Sequence, residues 1–329
     1  MNIKDYILSS PTTLAMPIAV YPGLKITGNS VRQMVTDSDV QVAAILALYE
    51  RYQTFAALTA MDLSVEAEAF GAKIAMSDHE IPTVSERLVT EPEQIDGLEV
   101  PEFGSGPARC RVALEVISKL KSRTDRPRFL VGGIIGPYSL AARLYGVSEA
   151  LELTLLDPDA AHRLLRKCTG FLIDYARAYR AAGADALCMA EPAAGLLWPE
   201  GLGEFASRYI SEIREAVEDA DFRIILHNCG CRIEHLPYQL ESGVSIFHFG
   251  APMNLVEALK QVPGKVVVAG NLDPAATFVN ATPEEVSAAV ETLLKKTAGH
   301  RNFLLSSGCD IPPNAKLENL DAFFEAGRR

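Results

Sequence analysis

From about residue 125 onward, short runs rich in Val, Ile, Leu and Phe recur between longer segments of helical period, and this alternation leaves few folds open to the chain. The runs are Phe129 to Ile135, Ala186 to Ala190, Phe222 to His227, Ser245 to Phe249, Lys265 to Ala269 and Asn302 to Leu305. Each has the length of a strand buried on both faces, as in a parallel sheet, and most are followed by Gly, Asn or an acid. Thr282-Pro283-Glu284-Glu285 supplies an N-cap, a proline at N1 and a capping-box glutamate; Val286, Val290, Leu293 and Leu294 then share one helix face until Gly299 stops it. Helical spacing of Val31, Met34, Val42, Ile45 and Leu48 predicts a helix from about Ser30 to Leu58, linking two further apolar runs, Met16 to Val20 and Ala56 to Met61. That makes eight strands. The expected architecture is α/β, a single (β/α)8 TIM barrel over residues 1–329 with an N-terminal extension. An open doubly wound sheet is the weaker alternative, since no glycine-rich nucleotide turn follows the first strand. The segment from Pro82 to Pro107, rich in Glu, Pro and Gly, reads as a long loop over the barrel mouth with one short helix, either a lid or a solvated excursion.

Composition narrows the function classes. The chain of 329 residues is 48% hydrophobic, enough for a large core, and carries a net charge of −11 without any basic block, which disfavours nucleic acid and anionic membrane surfaces as partners. No apolar run reaches the ~18 residues of a membrane span, and Met1 to Tyr21 lacks a basic region followed by an unbroken apolar stretch, so a cytoplasmic protein is expected. Six cysteines (Cys110, Cys168, Cys188, Cys229, Cys231, Cys309) are too sparse for a disulfide scaffold and read as buried thiols, ligands or nucleophiles.

In a barrel the chemistry lies where strands end. His227 and Cys229, at the end of the fifth expected strand, are two residues apart; on an extended chain they point to one side, roughly 6 to 7 Å apart. One metal ion could take both. Cys309, 80 residues further on and just past the eighth strand, offers a third ligand, and three such ligands with a vacant fourth position suit a catalytic zinc. Two other readings stay open at this point, buried thiols and a hydrogen-bonded strand-end histidine. The fifth and eighth strands of a barrel are not neighbours, so a shared metal would have to sit over the axis, on loops that project inward.

His227-x-Cys229-Gly230, the Gly270-Asn271-Leu272-Asp273-Pro274 turn and Ser307-Gly308-Cys309 resemble the uroporphyrinogen decarboxylase superfamily, and within it the zinc-dependent corrinoid methyltransferases of the methylcobamide:coenzyme M type. The resemblance runs over nearly the whole chain, through Glu66-Ala67-Glu68-Ala69 after Asp62, Gly136-Pro137 and the Thr282 helix start. It implies zinc held by His227, Cys229 and Cys309, a methylcobamide or cobalamin as co-substrate carried by a separate corrinoid protein, and a thiol such as coenzyme M as methyl acceptor. Cys231 reads as a bystander in the turn beyond the strand. Glu191 is readable as a fourth zinc ligand, a general base or a solvated acid. Asn271 and Asp273 are candidates for holding substrate, or else cap the next helix. Asp62, Glu66 and Glu68 read as a solvated helix face, His248 as a packed histidine, and Trp198 with Leu196 and Leu197 as mouth or core. Lys25, Arg143 or Arg232 could meet a sulfonate. Two rivals remain: a metal-free decarboxylase of porphyrinogens, against which the lack of any arginine before Arg32 counts, and a non-catalytic barrel that binds a corrinoid or its carrier.

Overall fold

In the computed structural model, which describes residues 1–102 and 108–328, seven strands form one sheet in the order of the chain. They are β1 (Ala56–Leu58), β2 (Phe129–Ile135), β3 (Ala186–Ala190), β4 (Arg223–Asn228), β5 (Ile246–Phe249), β6 (Val267–Leu272) and β7 (Phe303–Ser307). Every adjacent pair is parallel. Helices make each crossover, among them Pro158–Ala182 before β3, Arg208–Val217 before β4 and Pro283–Lys296 before β7. The continuous apolar runs follow from this arrangement, because β3, β5 and β7 are buried along their whole length between interior and helical layer.

The expected eighth strand is the main departure. Met16 to Val20 does not form a ladder: beside β7 there is one parallel bridge, Ala15 to Leu305, with Met16 N–H donating to the Leu305 carbonyl at 2.9 Å. Met16 gives the last backbone N–H to a carbonyl of β7, and Pro17, whose position faces the other side, has no N–H to offer there. Side chains of β7 take over, the Ser306 hydroxyl donating to the Met16 carbonyl at 2.7 Å and the Ile18 N–H donating to Ser307 Oγ at 3.1 Å. Met16, Pro17 and Ala19 also line a small cavity with Ala56, Ala57 and Leu58 of β1. This segment therefore lies between the two edge strands, and the sheet is curled.

The helix expected from Ser30 to Leu58 is two helices, Val31–Thr36 and Ser38–Tyr52, with Ala56–Leu58 in β1. Asp37 makes the break, its extended backbone ending the first helix while its carboxylate caps the second through Asp39 N at 2.8 Å. The capping box at Thr282 and Glu285 forms as expected, with the helix ending at Lys296. Within Pro82 to Pro107 lie the Thr83–Val84 strand of a small hairpin with Ile74–Ala75, and a short helix, Gln94–Gly97. The rest of that expected lid includes 103–107, which lie outside the described residues.

Candidate metal centre

β4 ends in His227 and Asn228, and the chain turns at Cys229. His227 lies in register with Ala190 of β3 and His248 of β5 and is 2% exposed. Cys309 follows β7 after Gly308. The ligand atoms of His227, Cys229 and Cys309 all lie within 4.8 Å of one another. Two glycines bring the distant loops together. After β5, Gly250 runs so close to Cys229 that a Cβ there would lie 2.6 Å from the Cys229 Cα; a Cβ on Gly308 would lie 3.0 Å from Ala251 N and 3.1 Å from the Asn271 and Leu272 carbonyls. The loop after β5 thus bridges the loops after β4 and β7, and only backbones without side chains fit. This removes the difficulty that the ligand-bearing strands are not neighbours.

The donor set fits a zinc ion. Ligand atoms around tetrahedral zinc stand roughly 3.3 to 3.8 Å apart, a small contraction from what the residues already hold. His227 Nε2 is buried and has no hydrogen-bond partner among the described residues, a costly condition for a polar atom unless something else engages it. The Cys309 thiol donates toward Cys229, and with His227 nearby this draws the Cys229 thiol far below its ordinary range. Cys309, as donor to Cys229 and half-buried beside it, is pushed up. A bound cation would favour loss of the proton from both thiols.

His248 is wholly buried and tied into the site, its Nδ1 2.8 Å from His227 Nδ1 and its Nε2 2.7 Å from Ser306 Oγ. Burial, then the neighbouring His227, hold its pKa well below the usual histidine range. Glu191 stands at the end of β3, but its carboxylate accepts from Tyr138 N at 3.1 Å and Ser139 N at 2.5 Å, capping the helix Pro137–Tyr145. Burial raises its pKa to about 7. It is not in the His227, Cys229, Cys309 cluster. Neither is Cys231, which is buried in the turn with its sulfur accepting from Gln239 Nε2 at 3.0 Å.

Asn271 donates to the Gly250 and Met253 carbonyls at 3.0 and 2.8 Å, and Asp273 accepts from Ala276 N at 2.7 Å, so both serve their turns. The expectation of a solvated face at Asp62, Glu66 and Glu68 is corrected for the first two, which are buried. Arg109 enters from the helix Ala108–Lys121 to pair with Asp62 and, at 2.6 Å, with Glu68. Glu66 accepts from Ile135 N at 2.9 Å with one oxygen and has no partner for the other among the described residues; burial pushes it up to about 7. Asp310, beside Cys309, has neither carboxylate oxygen hydrogen-bonded among the described residues. Leu197 is core, whereas Leu196 and Trp198 are exposed on the loop after β3. Of the three suggested cations, Lys25 donates to the Asn314 carbonyl at 3.0 Å at the surface and Arg232 is exposed; Arg143 is half-buried near Asp62. Sequence reasoning missed Ser306 and Arg109, and it underrated His248. Only His248, a polar residue between two phenylalanines of a buried strand, left a signal in the sequence.

Comparison with known proteins places this geometry in context. The family model for uroporphyrinogen decarboxylase (URO-D) matches residues 14–329. The methylcobamide:CoM methyltransferase MtbA of Methanosarcina acetivorans is 29% identical over 270 residues, 81% of this chain and 77% of that protein. A methylated-thiol–coenzyme M methyltransferase of Methanosarcina mazei is 29% identical over 294 residues, 88% of this chain and 77% of its own. Among solved structures, a methyltransferase from Methanosarcina mazei superposes with a TM-score of 0.87 at 22% identity, covering 98% of this chain and 96% of that one, which establishes a shared fold.

Proposed function

The chain belongs to the uroporphyrinogen decarboxylase family, and within it we propose that the protein is a zinc-dependent methyltransferase, moving a methyl group from a methylated corrinoid on a partner protein to a small thiol. The observation that carries this reading is the convergence of His227, Cys229 and Cys309 around an unpartnered His227 Nε2. The methyl acceptor named for the two relatives is coenzyme M, and the same class of acceptor is proposed here. Zinc held by those residues would supply the Lewis acidity that lowers a substrate thiol's pKa from the ~8.5 of a free thiol. Cys229 and Cys309 supply two negative charges, which offset the ion and keep electron density on its remaining ligand. His227 supplies a neutral donor and, being 2% exposed, sets the inner wall of the site. Glu191 keeps the helix Pro137–Tyr145 anchored at the end of β3, and the Gly250 and Gly308 contacts hold the two cysteine loops in register.

The reading takes residues 1–329 as one (β/α)8 barrel with the segment after Leu14 as its eighth stave, and includes a cytoplasmic location. Among the described residues no helix is long and apolar enough to cross a membrane. A porphyrinogen decarboxylase fits less well: the first arginine, Arg32, is held at the surface by Asp78 at 3.2 Å, away from a site that would have to gather a polyanionic substrate. The test is anaerobic demethylation of methylcobalamin by zinc-loaded protein, followed by the corrinoid absorbance with coenzyme M and homocysteine. We expect thiol-dependent loss of the methyl form. Thiol binding without demethylation, alone or with a cognate carrier, would contradict the assignment and favour a binding barrel.

A further inference from the structure

We infer that His248 and Ser306 are positioning residues that fix the proton of His227 on Nδ1, leaving its Nε2 electron pair facing the metal position; this rests on reading His227 as a metal ligand. The protons are fixed from the far end of a hydrogen-bonded row. The Met16 carbonyl can only accept. Ser306 Oγ lies 2.7 Å from it and has one hydrogen to give, so that hydrogen goes to Met16. The hydroxyl must then accept from His248 Nε2, also 2.7 Å away, which places a hydrogen on that nitrogen. His248 Nδ1 and His227 Nδ1 are 2.8 Å apart and share one hydrogen. A neutral His248 protonated at Nε2 presents a lone pair at Nδ1, so the shared hydrogen belongs to His227. A neutral His227 protonated there has a bare Nε2, and this is the buried atom that finds no partner among the described residues.

The opposite polarity fails on two counts. With Ser306 still donating to Met16 it puts a second hydrogen on His248, a cation with 0% exposure and no carboxylate bonded to either ring nitrogen among the described residues; with Ser306 reversed as well, its oxygen would stand 2.7 Å from the Met16 carbonyl oxygen with no hydrogen between them. It also moves the His227 hydrogen to Nε2, where it blocks a metal. The row spans β4, β5, β7 and the segment beside β7, so the irregular pairing after Pro17 has a consequence at the metal position: the Met16 carbonyl orients the whole series.

The test reads the tautomer directly in zinc-free, full-length protein labelled with 15N at histidine. Long-range 1H–15N correlations, with His227 assigned by its loss in His227→Gln, are expected to show the proton on Nδ1. Competition with a chromogenic chelator then reads zinc affinity. Ser306→Ala and His248→Leu are expected to weaken it about 10- to 100-fold, the usual effect of removing a partner of a metal-bound histidine. His248→Gln, whose amide can accept from His227 and donate to Ser306, should restore affinity to within a few-fold, which a merely space-filling role would not require. A proton on Nε2 of His227 in the wild-type protein overturns the inference without any need for the His248 or Ser306 variants, and so does unchanged affinity in folded Ser306→Ala and His248→Leu. Wild-type protein that binds no zinc yet keeps the Nδ1 proton would instead overturn the metal assignment and support the proton assignment.

Discussion

Replacing Gly250 by alanine tests how two loops from non-adjacent strands are brought to one point. The added methyl carbon would sit 2.6 Å from the Cys229 Cα and 2.7 Å from its carbonyl carbon, where carbon atoms in contact normally stand ~3.5–4.0 Å apart. The obstacle is backbone, which cannot rotate away as a side chain would, so Cys229 must retreat by roughly 1 Å. That distance is large beside a Zn–S bond of about 2.3 Å. We expect at least about a hundredfold loss of zinc affinity, equivalent to ~2.7 kcal/mol, with an overpacking cost of about 1–3 kcal/mol in stability. In a chain of this size that lowers the melting temperature by roughly 1–4 °C. Gly308→Ala, whose methyl would be 3.0–3.1 Å from its neighbours, requires shifts of only a few tenths of an ångström and should weaken zinc less. Gly170→Ala is the control: it lies in the helix Pro158–Ala182 with nothing within 4 Å of an added Cβ, and should be neutral or stabilising by about 0.5–1 kcal/mol. Chelator competition and thermal unfolding measure both quantities. Wild-type affinity and melting in Gly250→Ala would refute the argument that this close approach places Cys229.

Arg109→Leu leaves Asp62 buried without its ion-pair partner and should destabilise the protein by about 3–5 kcal/mol in urea unfolding; a loss under ~1 kcal/mol would mean that the pair is not an uncompensated burial when broken. Glu66 has its pKa raised by burial to about 7 in the folded chain, above the ~4.3 of an unfolded one, so the native state binds the extra proton between those values and stability falls as pH rises through that window. The decline attributable to it is up to about 3 kcal/mol from pH 4 to 8, and Glu66→Gln should flatten the curve by that amount; an identical slope in the variant would contradict the assignment. Cys231→Ala should keep wild-type zinc content by elemental analysis, because that sulfur is occupied by Gln239 away from the three ligands; loss of the metal would make Cys231 a ligand.

Much of the fold was legible because burial on both faces writes itself into the sequence. The runs at Phe129 to Ile135 and Ala186 to Ala190 have the same bounds as β2 and β3, since continuous Val, Ile, Leu and Met between glycine and acidic boundaries leaves little choice of strand. The run at Met16 to Val20 looked the same, yet side chains from β7 take the Met16 carbonyl and the Ile18 N–H in place of the ladder, a tertiary substitution that no local pattern records. At the site, His227, Cys229 and Cys309 were readable from residue type and strand-end placement. What brings them together was not: Gly250 and Gly308 look like ordinary strand-end turns until the loops are stacked. Asp62 and Glu66 look like a wet helix face because Arg109, the residue that lets Asp62 be buried, is 47 positions away.

Zinc content measured side by side in wild-type protein and Cys309→Ala tests whether the three residues hold a metal. Cys309 lies past β7 and its side chain is half-buried, so its loss should leave the fold intact by circular dichroism. The account predicts about one zinc per chain in the wild type and an emptied site in the variant. Full occupancy in folded Cys309→Ala, or wild-type protein that takes up no zinc when it is supplied, would contradict it.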